Sequence, residues 1–480
     1  MPNNSRLFFV VLSIGAAIGI GNIFLYPYFR FNFSIIFFVP YIIALVFICV
    51  PLLMLEFASG QYFDKNIIDL FASIRKWFSS IGWLMIINSF ILMGVYAVAM
   101  AWHIIYAFVS FGFQWQQSPR TYFFGSIIQA SNGFNSFTKF SLPMFIALII
   151  AWVIVFFCIR NGYETMKKSF TVILPVLLAL MLFFSFYFLT LDNALAGAYS
   201  FLKSGFSGLL DLDLWFAAFS MAILSIGVSF GIMHAFGRKW DKGFAAANSF
   251  LIVLFEVIVS VALAFVMFAV FGFLEGRQLI AGTTEFSNYG DLLVTFSQAL
   301  PFLHQPALLS LLFFGFLLLF FLLAVCALAY SMTHVIVHKF SARHFHASIL
   351  VCGFGFLLGL VFIIKPGFYI MDIVHHFIYY DVLIALLLEA IAIGWFFNSE
   401  KLSSFLDQYS SIKLGKLWRF FIRFVIPPAL LLLLGLQLKA DILTRYNNYP
   451  LWALLVFGVG AVAVPLAVAF LLPQKILDRR

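Results

Sequence analysis

Charge is scarce in this chain. Only 10% of its 480 residues are Asp, Glu, Lys or Arg, while 64% are hydrophobic and the mean hydropathy is +1.07. That excludes a water-soluble domain, which needs a polar surface. The composition reads as a polytopic helical membrane protein that fills the bilayer as a single domain, residues 1–480. Cysteine is scarce too. Cys49, Cys158, Cys326 and Cys352 fall in apolar runs without motif spacing, so they read as packing residues and imply no disulfide framework. The nine histidines are scattered without metal-ligand spacing. No nucleophile–base set is visible, which argues against an enzyme. The first apolar run has no small-residue cleavage site, so no removable leader is expected. A net charge of +9 could point to nucleic acid, but the basic residues sit in short loops. Their distribution sets membrane topology instead, and no nucleic-acid partner is expected.

What is abundant is apolar sequence. About twelve runs are long enough to span, at roughly 20 residues each. They lie near 7–30, 34–60, 81–112, 143–160, 169–190, 213–236, 245–273, 305–337, 347–364, 370–397, 417–437 and 450–473. Lysine and arginine concentrate in alternate loops, among them Lys65, Arg75, Lys76, Arg160, Lys167, Lys168, Arg238 and Lys239. The positive-inside rule then places both termini in the cytoplasm. The longest outer loops, near 113–142 and 274–304, carry Gly, Ser and Asn and read as irregular caps.

Two runs depart from a simple span. Ser13-Ile-Gly-Ala-Ala-Ile-Gly-Ile-Gly-Asn-Ile-Phe-Leu-Tyr-Pro27 holds three glycines, an asparagine and a proline. Glycine costs a helix roughly 1 kcal/mol against alanine, and asparagine needs a polar partner in hydrocarbon. The stretch reads either as an interrupted helix with freed backbone facing a ligand, or as a helix packed tightly through small residues. Five runs later, Trp215-Phe-Ala-Ala-Phe-Ser-Met-Ala-Ile-Leu-Ser-Ile-Gly-Val-Ser-Phe-Gly231 repeats the pattern. Two such runs at matching places suggest an inverted repeat, 1–190 and 211–397, with a site between the halves and 417–473 as two extra helices.

Other polar residues lie within the runs. Glu56, Glu256 and Glu389 are functional candidates by depth alone. For Glu56 and Glu389 the favoured reading is a structural anchor bonded to freed backbone amides. His103 and His234 read as satisfied packing residues, and His375–His376 as facing solvent near an outer end.

The first run, Val39-Pro-Tyr-Ile-Ile-Ala-Leu45 and Leu55-Glu-Phe-Ala-Ser-Gly-Gln-Tyr62 resemble the neurotransmitter:sodium symporter family. The likeness continues through Tyr96 and Trp102, Arg160-Asn-Gly162, Ser225-Ile-Gly-Val-Ser-Phe-Gly231 and Trp418-Arg-Phe-Phe-Ile-Arg-Phe-Val-Ile-Pro427, nearly the whole chain. It implies an all-α membrane protein of twelve transmembrane helices with the leucine-transporter-like inverted repeat, helices 1 and 6 interrupted. Bacterial members with short loops are the most alike, which implies the plasma membrane of a bacterium. The implied function is sodium-coupled import of an amino acid by alternating access, as a monomer or homodimer in the lipid bilayer.

The same resemblance assigns residues. Amides near Ile20 and Gly21 would meet the substrate carboxylate at a half-helix N-terminus, with the Tyr96 hydroxyl beside them. Gly19 stands where amine-carrying members have an acid, so the ligand brings its own carboxylate. Leu92, Leu224, Gly227, Phe230 and Tyr330 would shape a pocket for a hydrophobic or aromatic side chain, bordered by Ala17, Ser225 and Cys326. A first sodium site would comprise Ala17, Asn22, Ser225 and Asn248, all oxygen donors suited to a hard cation. The family's other sodium site is degraded here. Gly15, Ile18 and Leu322 could give carbonyls, but Val325 and Cys326 occupy the two hydroxyl positions. A weakened site, coupling to one sodium, or a proton in place of the ion all remain open. Leu25 replaces the outer-gate arginine, and Asp372 matches its acidic partner only after a small shift. Chloride dependence is not expected: Tyr41 and Ser225 match the family's ligands but Met221 and Ile252 do not, and Glu256 would supply a fixed negative charge. Two rival readings are a proton-coupled or uncoupled amino-acid transporter on the same fold, and a non-transporting amino-acid sensor.

Overall fold

A chain that crosses hydrocarbon must satisfy its own backbone amides and carbonyls, and helices do so within one segment. The computed structural model describes residues 12–17, 34–130, 134, 140–203, 206–239, 244–280, 288–409 and 413–477. Among them, ten helices are long and apolar enough to cross a membrane. They are Ile35–Phe63, Lys76–Val109, Leu142–Ile159, Tyr163–Leu189, Ala245–Gly276, Pro306–Phe340, His344–Phe362, Gly367–Phe396, Gly415–Asn448 and Leu451–Leu471. These are the second to fifth and seventh to twelfth runs. The sixth run is two helices, Leu212–Ile226 and Ile232–Arg238. The first run is described only over 12–17, a buried helical piece.

Boundaries shifted where polar residues belong to a helix. The fifth run begins at Tyr163 because Gly162 (φ 71°) turns the chain and the polar first turn, with Glu164, is helical. Apolar patterning does not register such a turn. The described parts of the outer loops are not wholly irregular either. Tyr122–Ile127 and Tyr289–Ala299 are helical, and Asn288 caps the latter by accepting from the Asp291 amide at 3.0 Å. Arg120 Nη1 then meets Asp291 Oδ1 at 2.7 Å and ties the two loops together.

The third and eighth runs form the centre. Their apolar windows are 83% and 72% buried, against 22% for the twelfth run, which lies at the periphery. The half-helix Ile232–Arg238 seats against the second run through glycine. A Cβ on Gly237 would come 2.6 Å from the Phe57 carbonyl oxygen, and one on Gly60 would collide with that of His234. Backbone meets backbone there, as small residues permit in membranes.

Gly237→Val should therefore wedge the two helices apart and cost about 1–3 kcal/mol. A fall in the thermal midpoint of the detergent-solubilised protein checks this; an unchanged midpoint would mean the contact is slack.

Candidate functional site

The sixth run breaks at its small residues. Gly227 (φ 72°), Ser229 (φ 74°) and Gly231 (φ 68°) all take left-handed backbone between the two half-helices. Glycine does this freely, whereas serine does so only when its surroundings hold it. The freed groups are met by four other runs. The Ser229 amide donates to Glu56 Oε1 at 2.6 Å. The Phe230 carbonyl accepts from Ser89 Oγ at 2.9 Å and from Ser331 Oγ at 2.7 Å. Ser229 Oγ donates to the Val382 carbonyl at 3.4 Å. The second, third, eighth and tenth runs thus converge on one unwound turn.

The expected anchor role of Glu56 matches this geometry. Glu389 differs: its Oε1 lies 3.1 Å from His234 Nε2, and Glu56 Oε2 lies 3.4 Å from His234 Nδ1. His234 is buried as expected, but between two carboxylates. His103 is the satisfied packing histidine, with Nδ1 donating to the Ala99 carbonyl at 2.7 Å and Nε2 accepting from the Tyr289 hydroxyl at 2.8 Å.

On the other side of the break, Tyr41 donates to Glu256 Oε1 at 2.8 Å and Ser260 donates to the same oxygen at 3.0 Å. The Tyr41 hydroxyl lies 3.0 Å from Ser225 Oγ. All four side chains are fully buried, as are Ile252 and Met221. Glu256 therefore holds a hydroxyl cluster that includes Ser225, on the half-helix preceding the break.

The remaining candidates fall as follows. Leu92, Tyr96, Phe230, Cys326 and Tyr330 are buried and Leu224 is half-buried. The Tyr96 ring sits 6.0 Å from Phe321 and 6.3 Å from His375, and Tyr330 sits 5.8 Å from Phe236. Among the described residues, the buried Tyr330 hydroxyl and the buried Asn248 amide have no hydrogen-bond partner. Such groups cost about 1–3 kcal/mol when left unpaired. Ala17 is buried, and a Cβ on Gly15 would lie 3.0 Å from Phe170 and 3.7 Å from Leu323, which brings 12–17 against the fifth and eighth runs. Leu322 and Val325 are buried on the eighth run, as are Cys326 on the same run and Cys158 on the fourth, both free thiols. Ile18, Gly19, Ile20, Gly21, Asn22 and Leu25 lie outside the described residues.

At the outer end, Asp372 accepts from Tyr446 (3.2 Å), Asn447 (3.0 Å) and Tyr449 (2.9 Å). Burial, and then the Asp372 carboxylate, push the Tyr449 hydroxyl well up, so it remains a donor. The expectation that His375–His376 face solvent is corrected. Both are half-buried; His376 stacks on Tyr446 at 3.8 Å and bonds Asp441 at 2.8 Å, because the loop after the eleventh run covers the tenth. Sequence reading passed over Asn88 and Asp381. Both are fully buried, and their polar side-chain atoms have no hydrogen-bond partner among the described residues. Polar residues inside apolar runs were the available signal.

The chain matches the family model described as the sodium:neurotransmitter symporter family over residues 2–122 and 113–477. It is 29% identical to an uncharacterized sodium-dependent transporter of Methanocaldococcus jannaschii, covering 97% of this chain and 95% of that protein. It is 26% identical to a sodium- and chloride-dependent GABA transporter of Drosophila melanogaster, covering 95% of this chain and 53% of that protein. It is 24% identical to a sodium- and chloride-dependent taurine transporter of Canis lupus familiaris, covering 95% of this chain and 81% of that protein.

Because Ser89 and Ser331 share one carbonyl, either serine can substitute for the other. Ser89→Ala or Ser331→Ala alone should cost about 0.5–1.5 kcal/mol, and the pair together more than their sum. A double-mutant cycle on thermal stability reads this; strict additivity would mean that the two bonds act independently and neither serine compensates for the other.

Proposed function

Because the chain belongs to the sodium:neurotransmitter symporter family, whose members are sodium-dependent membrane transporters, we propose that it imports a hydrophobic or aromatic amino acid together with sodium. The break at 227–231 is the observation that carries this reading. Irregular backbone at membrane depth persists where it faces a cavity or ligand. In this reading the first five runs and the next five are inverted halves, and substrate lies between the two interrupted ones.

Tyr96 and the amides near Ile20 and Gly21 take the substrate carboxylate. Leu92, Leu224, Phe230 and Tyr330 take its apolar side chain. Ser225, Asn248, Asn22 and the Ala17 carbonyl hold one sodium, and the substrate carboxylate completes the shell, which makes the two binding events cooperative. The Asn248 amide, without a partner among the described residues, supports this assignment. The second sodium is lost or weak, since Val325 offers no oxygen and the thiol sulfur of Cys326 is a poor sodium ligand. Glu256 supports independence from chloride, because it sets a carboxyl group against Tyr41, whose hydroxyl reaches Ser225.

The test is uptake of a labelled amino-acid mixture into proteoliposomes under an imposed sodium gradient or an imposed proton gradient. Uptake driven by sodium, richest in hydrophobic amino acids, is expected; binding without uptake under either gradient would favour a sensor. Val325→Thr with Cys326→Ser should raise the Hill coefficient for sodium from about one toward two. Glu256→Gln should make uptake chloride-dependent, read as rate against chloride concentration at fixed sodium; uptake indifferent to chloride would remove that role.

A further inference from the structure

Glu56, His234 and Glu389 are at most 2% exposed, and one ligand atom from each lies within 4.8 Å of the others. None of the assignments above uses His234 or Glu389. The imidazole stands between the carboxylates with Nδ1 3.4 Å from Glu56 Oε2 and Nε2 3.1 Å from Glu389 Oε1. The carboxylates face opposite nitrogens of one ring. A metal ion binds a single nitrogen of an imidazole, so this is poor geometry for gathering all three side chains round one ion. It sets one carboxyl oxygen near each nitrogen, the placement by which a proton can enter the ring at one nitrogen and leave from the other.

We propose that Glu56, His234 and Glu389 form a buried proton-binding site, and that its protonation state is coupled to the unwound turn of the sixth run. The coupling to transport rests on the reading given under Proposed function; the site itself does not. Charge balance sets how many protons the cluster holds. With two shared protons it is neutral: an imidazolium, one carboxylate and one carboxylic acid. Removing one proton leaves a net negative charge in an apolar interior, which is costly until water enters.

Glu56 links this site to the break. Its Oε1 accepts the Ser229 amide at 2.6 Å, and its Oε2 faces the imidazole. An ionised carboxylate makes the stronger acceptor. The neutral cluster therefore holds its acid proton on Glu389 and keeps the turn tightly bonded. Transfer of the Nδ1 proton to Glu56 leaves a neutral imidazole protonated at Nε2, weakens the bond to Ser229 and loosens the turn.

Glu56 and Glu389 are the acids that face His234. From the link after the second run, the Phe71 ring lies 6.1 Å away. The eighth run packs on the same half-helix and carries Tyr330, His334 and His338. Arg238, one turn beyond His234, is paired with Asp64 at 2.8 Å, and Lys339 with Asp69 at 2.7 Å.

The full chain reconstituted in lipid tests the proposal without requiring transport. Infrared difference spectra between about pH 5 and 8 should contain the carbonyl band of a protonated carboxyl group. Glu389→Gln should remove it, and His234→Gln should shift its titration midpoint. A spectrum unchanged in both variants overturns the site. Should Glu389→Gln fail to give monodisperse protein, Glu389→Asp keeps the acid and must shift the band. Zinc binding at one ion per chain, lost in His234→Gln, would instead assign the cluster to a metal and overturn the proton. In the same vesicles, sodium-driven leucine uptake should change several-fold over this pH range in the wild type, approaching tenfold per unit where one group controls it. His234→Gln should flatten that profile; a wild-type profile in the variant overturns the coupling. A titrating band in a protein that takes up nothing would leave the proton site standing and remove the transport reading.

Discussion

Backbone polar groups released inside a bilayer must find partners within the protein, and much of this structure follows from that requirement. The sixth run gives up helical bonding around 227–231. Water would satisfy the released groups on a surface, but here other helices must. Glu56 reaches one amide, Ser89 and Ser331 share one carbonyl, and the Ser229 side chain ties to the tenth run. Each is a polar residue in an otherwise apolar helix, and each sits where the break needs it.

The two half-helices are held by different chemistry. The one before the break is fastened through a hydroxyl network, in which Tyr41 and Ser260 converge on Glu256. The one after it is fastened by glycine-permitted backbone contact and by titratable groups. A single carboxyl group stands among hydroxyls before the break, whereas an imidazole and two carboxyl groups meet after it. The two halves therefore need not respond alike to the same change in conditions.

The helical spans were legible because apolar runs of the right length leave little choice. The sixth run was legible as a broken element from Gly227, Ser229 and Gly231 alone. The position of Glu56 as an anchor was also legible, since a buried acid needs donors and a break frees them. What sequence patterning did not reveal was pairing across distant runs. Nothing near His234 in the chain indicates that Glu56 and Glu389 will flank it, because helix packing alone brings residues so far apart together. His376 failed for the same reason: only a loop from beyond the eleventh run covers it. The outer loops failed through a local signal, the Asn288 cap and Asp291 in the first turn, that loop composition masked.

The glycine contact between the second run and Ile232–Arg238 has a mechanical meaning. Two helices that touch backbone to backbone at Gly60 and at Gly237 leave no room for a side chain between them. The second run also reaches the half-helix before the break, where Tyr41 meets Ser225. It is therefore a splint across the unwound turn, joined by hydroxyls on one side and by backbone contact on the other.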